Sequence, residues 1–590
     1  MEKKYMLHFF HERNYEPQSL QAFEREAVQA AQAGATHMYV MDVPKRFEEW
    51  STHPGDPYPN WGMLQTCLFK LVVPRALEPY LDADYARRNL ELVRRRSEIV
   101  KKYGMQAAVV VIDPFYLPEQ AYLDHPAWRG PRCDHPRRSR DMYFSPCIDN
   151  EEVRGLYYEA MQRLCAEVDI GFFQIITNDS GAGVCWSTGL YNGPNGPEAC
   201  RKVSMADRIV GFLQVLYDAA RSQGRETLID ITSDIFGYKA PEASKDAAWT
   251  SLKPGQLVTG RDMHGKKPVY HMLSDLIEHV RPMQTLPMTV DFVRKLHAAA
   301  GSESEYIKAV IHRSEFNEYI RILDAYREMR PQDTAQLMNV GEAQASKLLD
   351  AWCALDDAAR IMSDLHFDNF IWMPLIAERV INRPLVPVPA ALTEEETAYY
   401  APFLFQATTE EQARDLLNIQ GMDFVKGFTA TRILRLSVLK MTPALERAAV
   451  LFESIETDDD AVRGKLAVTA RRVRVLLCLS RTLSNAACYQ DVLDHTRPDE
   501  QPAYSTEWPI EGDARISRLN ELARAEIDNT YELLRLMDGE PGAFFPIVAD
   551  DAHEDAFLLS AQLPRQLVQK AQIMLAHMRD VDKIYESKNK

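Results

Sequence analysis

The run GFFQIITND, residues 171–179, is apolar until it ends in Asn178 and Asp179, and glycines, Trp186 and Tyr191 follow. A carboxylate beside a carboxamide at the end of a buried run can move a proton and hold a hydroxyl at one point. Other apolar runs carry similar groups. His8, His11 and Glu12 lie in YMLHFFHE (5–12), and Asp42 ends THMYVMD (36–42). Asp113 ends MQAAVVVID (105–113), and Asp230 with Asp234 lies in and after TLIDIT (227–232). Any one aspartate of this kind is explained as a helix N-cap or a loop ion pair. Their recurrence at the end of run after run is harder to explain structurally, because an unpaired buried carboxylate is costly.

The loops after the second, third and fourth runs hold Trp50, Tyr58, Trp61, Tyr116, Trp128, Trp186 and Tyr191. Aromatic faces with a polar edge suit sugar rings, although they also build the small cores of long loops. Carboxylates among aromatics can cleave a glycosidic bond: one acid protonates the leaving oxygen, and a second carboxylate activates water or attacks the anomeric carbon. On this reading Asp179 is the general acid and Asp230 or Asp234 the nucleophile or base. Asn178, His11, Glu12, Asp42 and Asp113 then bind hydroxyls, and Trp186 or Tyr191 forms a platform. Long loops predict a pocket and exo action on a chain end. No cofactor and no metal is expected.

Two other classes fit parts of the pattern. His8, His11, His37, His264, His271 and Asp262 are the residue types of a metal-dependent sugar isomerase or epimerase. Only RDMHGKKPVYH (261–271) clusters histidine with an acid, and a solvated loop suits it better. A non-catalytic carbohydrate-binding barrel is the third reading, since the second catalytic carboxylate is not fixed.

The elements that would position these residues alternate. After the first run, Leu20, Phe23, Ala27, Ala30 and Ala31 form a helical stripe stopped by Gly34. A second helix runs through Leu92, Val93, Ile99 and Val100 to Gly104. Asp149 and Glu152 are spaced as a capping box ahead of Val153, Leu156, Tyr157, Ala160 and Leu164. Ile209, Phe212, Leu213, Leu216 and Ala220 follow the fourth run and stop near Gly224. Strand and helix in alternation predict parallel pairing with right-handed crossovers. No glycine-rich dinucleotide loop follows the first strand, so the α/β class predicted is a (β/α)8 TIM-type barrel, regular or not, rather than a doubly wound sheet. QLVTG (256–260) and PVYHM (268–272) are the sixth and seventh strand candidates, and no eighth is evident.

From about residue 300 the pattern is mostly helical, with a stripe at Leu466, Val473, Leu476, Leu477 and Leu483 and another from 560 to 585. The expected division is a barrel over 1–300, a helical segment and connector over 301–400, and a mainly α-helical C-terminal domain over 401–590, which also offers a homo-oligomer contact.

A net charge of −17 argues against nucleic acid and anionic membrane as partners and says nothing positive about substrate; the carbohydrate substrate expected rests on the carboxylates and aromatics. The nine cysteines show no CxxC pair and no zinc-type spacing, and read as reduced thiols. The start, MEKKYMLHFFHERNYEP, has too short an apolar stretch for a signal peptide, and no run reaches membrane-span length. A cytoplasmic protein is expected.

The stretch from FSPCIDNEEVRGLYYEAMQRL to FFQIITNDSGAG resembles a phrase of TIM-barrel glycoside hydrolases in the α-glucuronidase and β-hexosaminidase neighbourhood. In that phrase a helix start of the form CP…N-x-E-V-R precedes the strand bearing the catalytic acid. Asn178-Asp179 is also similar to the Asn-Glu pair that ends the fourth strand of many retaining glycosidases. The resemblance implies that Asn178 holds a sugar hydroxyl and that Asp179 is the proton donor. Here the acid is Asp rather than Glu, and Asn178 departs from the paired acids of β-hexosaminidases. The resemblance covers about residues 140–200.

Overall fold

The structure is a computed structural model that describes residues 4–9, 17–44, 66–133, 142–177, 183–187, 195–231, 257–259, 270–274, 290–301, 306–311, 330–364, 380–401, 404–405, 414–415, 428–494, 512–545, 547, 551, 554 and 559–582. The chain divides into two compact units: Met1–Ser274 with Leu296–Asn317 and Gln406–Glu411, and Asp275–Lys295 with Glu318–Phe405 and Gln412–Lys590.

The first unit is built on eight parallel strands. These are β1 (Lys4–Phe9), β2 (His37–Tyr39), β3 (Gln106–Ile112), β4 (Ile170–Ile176), β5 (Leu228–Ile231), β6 (Leu257–Thr259), β7 (Tyr270–Ser274) and β8 (Tyr306–Ile311). Their hydrogen-bonded order is β6-β5-β4-β3-β2-β1-β8-β7. Sequence neighbours therefore pair throughout, except that β6 and β7 stand at the two ends of the order, and β1 pairs with β8, Met6 opposite Lys308. The first five strands and the sixth and seventh candidates fall where the sequence places them. The eighth does not: β8 lies in the stretch expected to be helical, because Lys308 interrupts its apolar run.

The sheet curls. Gln174 on β4 and Lys308 on β8 are four strands apart in this order, yet the lysine ammonium donates to the Gln174 carboxamide oxygen. In a flat sheet those strands would stand about 19 Å apart, beyond the reach of the two side chains. Met6, Tyr39, Ala108, Phe172 and Leu228, from five successive neighbours, likewise form one buried cluster on the inner face. Phe173 and Ile175, on the other face of β4, are buried as well. This explains why the strands read as continuous apolar runs.

The crossovers are helical. α1 (Leu20–Gln32) is capped by Ser19, α2 (Ala83–Lys102) by Asp82, α3 (Glu151–Glu167) by Asn150 and α4 (Met205–Ser222) by Ser204. Gly34, just past α1, has φ +77 with open space where a side chain would stand, so backbone conformation selects glycine there. The cap of α3 differs from the sequence expectation. Asn150, not Asp149, accepts the hydrogen bond from Val153 N–H (3.1 Å), and Glu152 accepts from the Trp128 indole (2.6 Å) instead of closing a capping box.

The second unit is mainly helical where described, with one short antiparallel strand pair, Leu404–Phe405 against Arg414–Asp415. Its long helices are α5 (Glu342–Asp364), α6 (Phe428–Glu453), α7 (Asp460–Asp494), α8 (Gly512–Met537) and α9 (Leu563–His577). The predicted stripe Leu466, Val473, Leu476, Leu477 and Leu483 is buried along α7. Inside this core Lys570 of α9 pairs with Glu526 of α8 at 2.5 Å, both fully enclosed. Among the described residues no helix is long and apolar enough to cross a membrane.

Candidate functional site

Strand alternation puts His8, Val110, Gln174 and Asp230 two residues beyond Met6, Ala108, Phe172 and Leu228, on the same inner face and nearer the C-terminal ends. The inner face thus carries an apolar layer followed by a polar one. Gln174 and Asp230, paired across β4 and β5, are fully buried, and Gln174 Nε2 donates to Asp230 Oδ2 at 2.6 Å. Lys308, only 3% exposed, closes the chain of contacts by donating to Gln174 Oε1. Its ammonium stands 5.4 Å from the centre of the Tyr39 ring, a cation–π distance. The Tyr39 hydroxyl donates to Gln174 Oε1 at 3.4 Å, and its ring stacks on His8 at 4.5 Å. Burial pushes the Tyr39 phenol well above its ordinary value, and the charge of Asp230 pushes it further, so Tyr39 stays a donor. A purely structural layer here would be branched aliphatics.

Asp230 is thus placed inside the curl, on this polar layer. Asp42 lies at the end of β2, where its carboxylate accepts from Gln18 N–H (3.2 Å) and faces the buried Arg96 guanidinium at 3.7 Å. Asp113 is buried at the end of β3, accepting from Leu68 N–H at 2.8 Å and from the Tyr157 hydroxyl at 3.1 Å. Trp186 has φ +64; its indole donates to Pro197 C=O at 2.7 Å, and the Arg201 guanidinium covers one ring face at 3.6 Å. Asn178, Asp179, Tyr191, Asp234, His11 and Glu12 lie outside the described residues.

Gln174, Lys308 and Tyr39 join the candidate site from structure. The sequence carries a signal for two of them: a glutamine inside GFFQIIT and a lysine inside YIKAVI, each a polar interruption of a buried strand.

Burial lifts the Asp113 carboxyl from 3.8 to about 7, against the pull of its hydrogen bonds from Leu68 and Tyr157. Between those values the folded chain holds a proton that the unfolded chain has released, so this group lowers stability as pH rises from about 4 to 7. Its ceiling is roughly 4 kcal/mol, at about 1.4 kcal/mol per pH unit. Urea midpoints at pH 5 and pH 8 should fall more for the wild type than for Asp113→Asn. Equal falls in the two proteins would refute the assignment.

No family model matches the chain, and no curated protein matches it at a significant level. Solved structures do. A GH138 enzyme described as targeting pectin rhamnogalacturonan II matches over 98% of this chain and 84% of its own, with TM-score 0.50 and 8% identity. A GH36 α-galactosidase from Geobacillus stearothermophilus matches over 56% of this chain and 42% of its own, with TM-score 0.32 and 13% identity. A GH20 β-N-acetylglucosaminidase matches over 56% and 68%, with TM-score 0.28 and 8% identity. The fold is glycoside hydrolase-like, and at 8% identity the first likeness is one of fold alone.

Proposed function

We propose that the protein is a glycoside hydrolase that removes a terminal sugar from an oligo- or polysaccharide by carboxylate acid/base chemistry. The observation that carries this reading is the buried Lys308–Gln174–Asp230 layer on the inner face of the curled parallel sheet. Pairing of β6 with β7 would complete the ring of a TIM-type barrel, whose catalytic groups gather at the C-terminal strand ends. The fold shared with a GH138 enzyme, which acts on a pectin polysaccharide, supports the substrate class.

Glycoside cleavage needs one protonated and one ionised carboxyl, set apart by their surroundings. Gln174 holds the Asp230 carboxylate by a hydrogen bond and is itself held by Lys308, which suits Asp230 as nucleophile or general base. Asp234, a few residues on, is the other candidate for that role. Asp179, at the end of the run that carries Gln174, is the proton donor, with Asn178 beside it holding a hydroxyl. Tyr39 supports the polar layer from beneath, and His8, within that layer, stacks on the Tyr39 ring.

The test is a panel of aryl-glycosides, including uronides and hexosaminides, assayed with the wild type and Asp179→Asn. At least one substrate should be cleaved by the wild type. The variant should lose about 10²–10⁴-fold in kcat, the range for a general acid, while still binding. Unchanged hydrolysis in Asp179→Asn would remove Asp179 from the mechanism.

A further inference from the structure

Three cysteines that the proposed chemistry does not use converge beside α3. Cys147 Sγ lies 3.7 Å from Cys185 Sγ and 3.6 Å from Cys200 Sγ. Together with a carboxylate oxygen of Asp149, these atoms all fall within 4.8 Å of one another. The sulfurs are too far apart for a disulfide, which spans about 2.05 Å. They are spaced for a shared ion instead. Zinc bound at about 2.3 Å in tetrahedral geometry holds its thiolates about 3.8 Å apart. We infer that Cys147, Cys185, Cys200 and Asp149 form a closed, structural binding site for a single zinc-class divalent cation.

The surroundings fit that assignment. All three cysteines are buried, and with Asp149 they supply the four ligands of a closed tetrahedral site rather than the three of a catalytic one. Three thiolates and a carboxylate around a dication leave two negative charges, and two arginines stand against them. Arg208 donates to Asp149 Oδ2 at 3.1 Å and to the Cys185 carbonyl at 3.0 Å, and Arg154 faces Asp149 Oδ1 at 3.7 Å. Such outer contacts orient ligands and tune affinity. Asp149 Oδ1 accepts no hydrogen bond among the described residues, so it keeps lone pairs for a cation. Asp149 is available because Asn150 has taken over the helix cap.

The backbone is also shaped to bring the sulfurs together. Gly196 has φ +139, and a Cβ there would stand 2.6 Å from Cys185 Cβ, so the chain reaches Cys185 only with glycine at that position. A Cβ on Gly130 would stand 2.8 Å from Cys147 N. Cys185 and Cys200 lie 38 and 53 residues beyond Cys147, so the ion would tie the chain following β4 to the start of α3. In sequence, Asn178 and Asp179 occur within the segment closed in this way.

Full-length protein purified without chelator is expected to carry a single zinc ion per chain by plasma mass spectrometry. Cobalt exchanged into it should give thiolate charge-transfer bands in the near ultraviolet and the intense visible absorption of a tetrahedral site. Cys200→Ser and Asp149→Asn should weaken zinc at least about tenfold in competition with a chromogenic chelator. Cys353→Ser, which removes an exposed thiol, should leave affinity unchanged. Chelator should lower the wild-type melting temperature and restored zinc should raise it again. Substoichiometric metal after zinc loading, or a disulfide among the three cysteines in the mass spectrum, would overturn the assignment. If a ligand variant fails to fold, the wild-type cobalt spectrum decides: without charge-transfer bands the site is not a thiolate centre.

Discussion

Replacing Lys308 with methionine is expected to destabilise the protein by about 3–5 kcal/mol, the cost of removing one partner from a buried charged cluster. The lysine stem would be conserved in volume, so packing alone predicts a much smaller loss. What disappears is the ammonium that donates to Gln174 and offsets Asp230 inside the curl. The carboxylate would then sit fully buried, still accepting from the Gln174 amide but without the Lys308 ammonium behind that amide. Lys308→Met combined with Asp230→Asn should recover most of the urea midpoint, because the uncompensated charge is gone. Under the proposed mechanism neither protein should turn over. Recovery of stability without recovery of hydrolysis would separate the two roles of Asp230. A double variant no more stable than the single one would mean that the loss does not come from leaving the Asp230 charge uncompensated.

The second large effect is expected in the helical unit. Lys570→Met should also cost about 3–5 kcal/mol, for the same reason in a different setting. Glu526 accepts from Lys570 (2.5 Å), from the Thr482 hydroxyl (2.7 Å) and from Asn485 Nδ2 (2.9 Å). Lys570 also donates to the Ile381 carbonyl at 2.7 Å, so its loss strands a second acceptor. Glu526→Gln keeps hydrogen-bonding capacity without the charge, and paired with Lys570→Met it should restore much of the loss. The coupling energy of the double-mutant cycle is the readout. A coupling near zero would show that the pair contributes nothing beyond its separate parts.

The strands β1 to β5 are legible in the sequence because each is an apolar run between amphipathic helices, and positive-φ glycines mark helix ends. Lys308 hides β8: a charged residue inside a short run between acidic and polar neighbours reads as helix surface. The same residue turns out to be part of the candidate site, so the local rule fails where function is proposed to sit. The cysteine cluster is hidden for another reason. Zinc motifs are recognised by short local spacings, whereas Cys147, Cys185 and Cys200 meet only once β3, β4 and their helices are placed. Asp149 shows how one residue shifts a reading. Its spacing from Glu152 fits a capping box, but Asn150 makes the cap and leaves Asp149 to Arg208.

The pairing of β1 with β8 has a kinetic consequence. The β8 partner of β1 leaves the ribosome about 300 residues after β1 itself, roughly 15–60 s later at ordinary synthesis rates. Through that interval β1 can pair with β2 but not with β8, so one edge of an apolar strand stays open to other chains. Contacts this distant in sequence also slow folding once synthesis ends. Expression at reduced temperature or with added chaperone should therefore raise the soluble yield more than any change to the surface charge.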